Sequence, residues 1–71
     1  MKKKASEILA SNVKNIRRSK NLTSRQLAIL AKTSANVITV VEKGKSNITL
    51  RTLENLASAL NETVVDLFEQ Q

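Results

Sequence analysis

Cysteine, histidine and proline are all missing from this 71-residue chain, tyrosine and tryptophan do not occur, and glycine and phenylalanine occur once each. Without cysteine there is no disulfide and no thiolate nucleophile. Without histidine there is neither an imidazole base nor the usual nitrogen ligand of zinc. The carboxylates do not converge in sequence, so catalysis finds no support, and no cofactor, metal or small-molecule ligand is expected. A single aromatic, Phe68, leaves no platform for stacking bases, which argues against RNA. No segment approaches the roughly 20 apolar residues of a membrane span. Glu7, Ser11 and Asn12 also interrupt any apolar stretch behind Met1-Lys2-Lys3-Lys4, so no leader is read there and a cytoplasmic location is expected.

What remains is a small, basic chain. At this length only about 60% of the unfolded surface is buried, so one core of Leu, Ile, Val and Ala must carry the fold, and residues 1–71 read as one domain with 1–4 as a basic arm or a frayed helix end. The net charge of +6 is one-sided. Residues 1–35 hold nine basic side chains against Glu7 alone, a balance of +8. The remainder sets Lys43, Lys45 and Arg51 against Glu42, Glu54, Glu62, Asp66 and Glu69, a balance of −2. Such a field suits a polyanion. A solvated, solubilising face fits the charge equally well.

With almost no Gly or Pro, boundaries are read from caps and apolar period, and the period is helical throughout. The first helix runs from Ala5 to about Lys20, with Leu9, Val13 and Ile16 on one face, and ends near Asn21, which tolerates the left-handed conformation. Thr23-Ser24-Arg25-Gln26 forms a capping box that opens a second helix, Ser24 to about Ala31, with Leu27, Ala28 and Ala31 inward. Ser34 caps a third, Ala35 to about Lys43, closed by Gly44. Thr49 caps a fourth, whose apolar stripe is Leu50, Leu53, Leu56, Ala57 and Leu60. Asn61 ends it. Thr63 to Asp66 is another capping box, opening a last short helix with Leu67 and Phe68. No strand is expected.

The second and third helices are joined by a very tight turn. On the third, Ile38 and Val41 fall on one side, whereas Asn36, Thr39, Val40 and Lys43 share the other. One packed side and one presented side, after a short turn, describe a helix-turn-helix whose second helix fits the major groove of B-DNA.

The residues that carry this motif also carry a resemblance. The stretch from Leu27 to Gly44, followed by Leu53-Glu54-Asn55-Leu56-Ala57-Ser58-Ala59-Leu60 and Val65-Asp66-Leu67-Phe68, resembles the Cro/CI-type (XRE-like) helix-turn-helix family over about residues 9–68. That family includes phage repressors and restriction-modification controller proteins. The resemblance implies an all-α, compact five-helix, lambda-repressor-like DNA-binding fold and a transcriptional regulator that binds double-stranded DNA as a homodimer, on a pseudo-palindromic operator. It implies that Arg17 pairs with Glu42 as a structural tie between the first and third helices. It places Ala35, Asn36 and Val40 at base-facing positions. Of these only Asn36 carries the amide that can pair with adenine N6 and N7, and Ala35 and Val40 can meet only a thymine methyl. Ser24 matches a phosphate-contacting position, and Arg25, Ser34, Thr39, Lys43, Lys45 and Ser46 are expected at the backbone or beside the bases. Ser24 is also readable as a plain first-turn residue, and Lys43 as an ordinary solvated lysine.

Two departures stand out. Lys32 occupies the turn position usually held by glycine, so a bulky residue must accept the left-handed conformation. Ile29, Leu30, Val37 and Val40 leave more apolar surface than a purely polar reading face needs. Dimer contact is expected from Val64, Val65 and Phe68, which are otherwise readable as a lid on the core. Length and the Ser46-to-Leu50 loop lean toward a controller protein over a phage repressor. An antitoxin or protein-binding adaptor, using Ile29, Leu30 or the last helix on a partner, is the alternative of a different class.

Overall fold

Local capping sets the course of the chain. In a computed structural model, which describes residues 4–45 and 47–70, five helices follow in order: α1 Ala5–Ser19, α2 Ser24–Leu30, α3 Ala35–Glu42, α4 Leu50–Ala59 and α5 Val64–Leu67. Among the described residues there is no strand, and no helix is long and apolar enough to cross a membrane. Each of the last four helices starts on a hydroxyl that accepts from the amide three residues on: Thr23 from Gln26, Ser34 from Val37, Thr49 from Thr52 and Thr63 from Asp66. In the boxes at Thr23 and Thr63, the Gln26 and Asp66 side chains accept in return from the cap's own amide. At Thr63 this bond from the backbone amide holds the Asp66 carboxyl below its ordinary pKa.

The helix ends share a single device. Asn21, Lys32, Gly44 and Asn61 all have positive φ, between 56° and 74°. At each, the next residue's amide reaches back to a carbonyl of the last turn: Leu22 to Arg17, Thr33 to Ala28, Lys45 to Val40 and Glu62 to Ala57. These are Schellman closures, made here with one glycine, two asparagines and a lysine. Asparagine offsets the left-handed conformation by local polar contacts, but lysine has no such means. Lys32→Gly is therefore expected to raise stability by about 0.5–1 kcal/mol, the left-handed penalty less the added freedom of glycine in the unfolded chain. A urea midpoint at or below the parent's would count against strain at this turn.

Burial follows the apolar period. Leu9, Val13, Leu27, Ile38, Val41, Leu56, Leu60 and Leu67 form the centre, and Ile16, Leu22, Val37, Leu53, Val64 and Phe68 pack around it. α2 lies against α3 and α4, α1 against α3 and α5, and α4 against α5. The result measures 35 × 22 × 18 Å. One expectation fails here: Leu50, assigned above to the inner stripe of α4, is 65% exposed. It is the first residue of the helix. It precedes Leu53 by most of a turn, at the open end of the helix.

Candidate nucleic-acid interface

α3 is held from behind and open in front. Ile38 and Val41 are buried, whereas Asn36, Thr39 and Lys43 are exposed and Val40 is half-buried. At 100° per residue these four share about a third of the helix circumference. Ala35, the first residue of α3, is exposed at the edge of that face. Asn36 makes no side-chain hydrogen bond within the described residues, so its amide is left to an external partner. The Thr39 hydroxyl donates to the Ala35 carbonyl at 3.0 Å, which leaves its oxygen able to accept. Ser34 caps α3 through its hydroxyl.

Exposed basic side chains stand at the start of α2 and at the end of α3. Ser24 is the half-buried first residue of α2, and Arg25 beside it is exposed. Lys43, the C-cap of α3, and Lys45 just beyond Gly44 are also exposed. Ser46 lies outside the described residues. Ile29 and Leu30 are exposed large hydrophobics at the end of α2.

The orientation of α3 depends on an ion pair with α1. Arg17 Nε donates to Glu42 Oε2 at 2.7 Å and Nη2 donates to Oε1 at 3.0 Å, a two-pronged contact between side chains only 12% and 10% exposed. Its Nη1 donates at 2.8 Å to the Leu22 carbonyl, in the connection to α2. One guanidinium thus joins α1, the α1–α2 turn and α3. The hydrogen bond to Glu42 raises the Arg17 pKa above its ordinary value, against the opposing effect of burial.

At the far end, Val64 and Phe68 lie partly against the core, and only Val65, 72% exposed, faces fully outward. Sequence reasoning missed Asn12, which is buried and donates to the Leu67 and Glu69 carbonyls. The signal was available, because Asn12 falls between Leu9 and Ile16 on the apolar face of α1.

A five-helix fold with a capped, tight α2–α3 turn and an outward α3 face defines a helix-turn-helix protein. Comparison with known proteins agrees: residues 13–67 match the helix-turn-helix family. The control protein C.SmaI of Serratia marcescens is 43% identical over 65 residues, which are 92% of this chain and 77% of that protein. Among solved structures, the restriction-modification controller protein C.AhdI of Aeromonas hydrophila superposes with a TM-score of 0.84 at 27% identity, over 89% of this chain and 96% of that one. A hypothetical transcription factor, NHTF, from Neisseria superposes at 0.88 with 26% identity, over 93% and 76%. This chain belongs to the helix-turn-helix family, in its Cro/CI-type (XRE-like) branch, and is a DNA-binding regulator of that type.

Proposed function

We propose that the protein is a sequence-specific transcriptional regulator of the restriction-modification controller kind, which binds a pseudo-palindromic operator as a homodimer. The observation that carries this reading is the free amide of Asn36 on the open side of α3, opposite the buried Ile38 and Val41. Asn36 pairs with an adenine edge in the major groove, and Ala35 and Val40 rest against thymine methyls. Ser24, Arg25, Ser34, Thr39, Lys43, Lys45 and Ser46 hold the sugar-phosphate backbone on either side and set the register. Val64, Val65 and Phe68 pair two copies, which spaces the two recognition helices about 34 Å apart, one turn of B-DNA. Similarity to a control protein and to a controller protein supports this kind of regulator over a phage repressor.

Selection of bound duplexes from a random pool, with excess nonspecific competitor, tests the reading. A two-fold-related pair of short half-sites is expected. Binding to the selected duplex should weaken steeply with salt, with log K falling against log[salt] by about 0.9 for each phosphate neutralised. Recovery of no preferred sequence would overturn it. The exposed Ile29 and Leu30 favour one other reading, a protein-binding adaptor. That reading requires partner binding that needs no DNA and survives high salt.

A further inference from the structure

Asn12 is the only buried polar side chain among the described residues, at 7% exposure. Its Nδ2 uses both hydrogens across more than 50 residues of chain, donating to the Leu67 carbonyl at 2.9 Å and the Glu69 carbonyl at 2.7 Å. The helix it holds has only four residues. One turn does not sustain itself in water, because nucleation fixes several dihedral angles for each hydrogen bond gained. The start of α5 is closed by its own capping box, but its end is tied to another element, through Asn12 of α1. The rotation of α5 that buries Leu67 and sets Val64 and Phe68 against the core also turns Val65 outward.

We propose that Asn12 is a positioning residue for subunit pairing: by holding from α1 the last carbonyl of α5 and a carbonyl just past its end, it fixes the angle at which the Val65 face meets a second copy of this chain. The inference rests on the pairing reading above. Packing alone would bury Leu67 over a range of tilts, because apolar contact is not directional. Two hydrogen bonds from one planar amide are directional and select a single tilt.

The experiment compares Asn12→Asp, which removes both donors and sets a carboxylate against two carbonyls, with Val13→Ala, which cuts the same helix's core contact. The full chain is used throughout. Thermal midpoints are measured with the monomer–dimer dissociation constant, by sedimentation, at a temperature where both variants are folded. Asn12→Asp is expected to weaken dimerisation by at least about tenfold while Val13→Ala leaves it within about twofold at a similar loss of midpoint. Binding to an isolated half-site should stay within about twofold for both at a temperature where both are folded, since neither substitution changes a residue of α3. Where Asn12→Asp does not fold, Asn12→Ser, which removes the two-pronged donor without adding charge, is read in the same way. Equal dimerisation by the Asn12 and Val13 variants would reduce Asn12 to a purely structural residue and overturn the inference. A parent protein that stays monomeric at every concentration and on its operator would instead overturn the pairing reading, and the proposal with it.

Discussion

Arg17→Ala is expected to remove most of the stability of this protein. The substitution strands Glu42, only 10% exposed and paired with no other cation among the described residues, and leaves the Leu22 carbonyl without its donor. Breaking one side of a buried pair costs about 3–5 kcal/mol. Domains of this size sit near the low end of the ordinary 5–15 kcal/mol range. The thermal midpoint should therefore fall by more than about 12 °C, or the cooperative transition should vanish altogether. Circular dichroism against temperature reads this directly. Replacing both partners, as in Arg17→Met with Glu42→Leu, should recover much of the loss, because no charge is then left buried. A single-variant cost below about 1 kcal/mol would mean that the pair behaves as a solvent-screened surface contact. In that case the orientation of α3 would have to rest on Ile38 and Val41 alone.

The second large effect concerns reading and leaves folding intact. Asn36→Ala should relax preference at one base pair of each half-site by about 1–3 kcal/mol, while nonspecific binding and its salt dependence remain those of the parent. Because Asn36 is exposed and makes no side-chain hydrogen bond among the described residues, the stability read from urea unfolding should stay within about 0.5 kcal/mol of the parent. Competition between selected and singly mismatched duplexes gives the measurement. An unchanged profile at every position would remove Asn36 from the reading face. Specificity would then have to come from Val40, Ala35 or the shape of the DNA.

The two effects act at opposite ends of one helix. Glu42 anchors the last turn of α3 from inside, and Asn36 projects from the first turn outside. Arg17 therefore bears on recognition without standing on the recognition face. Partial loss of the pair, as in Glu42→Gln, should lower stability and operator affinity together while leaving the preferred sequence unchanged.

Much of this was legible in the residues. Every N-cap from Thr23 onward, the left-handed closures at Asn21, Gly44 and Asn61, and the division of α3 into buried and open sides can be read within windows of three to six positions, whereas the left-handed Lys32 was expected only through the family resemblance. Hydroxyl caps, return bonds and Schellman closures act over that same range, so the chain needs no distant contact to declare them. Leu50 misled because periodicity assigns a residue to a face without saying whether the face is covered at that height. The place of Asn12 on the apolar face of α1 was legible, but its partners, 55 and 57 positions away, were not. The third bond of Arg17, to Leu22, depends on a backbone carbonyl and leaves no mark on side-chain pattern.

Residue order by itself determined where each helix of this protein begins and stops and which side of α3 is apolar, since those outcomes follow from hydrogen bonds and periodicity inside single turns. Only the tertiary structure decided that Leu50 stays in solvent, that one guanidinium ties α1 to both α3 and the α1–α2 turn, and that a buried amide holds the end of α5. Each of those depends on how separate helices approach one another, and that approach is set by packing the whole core at once.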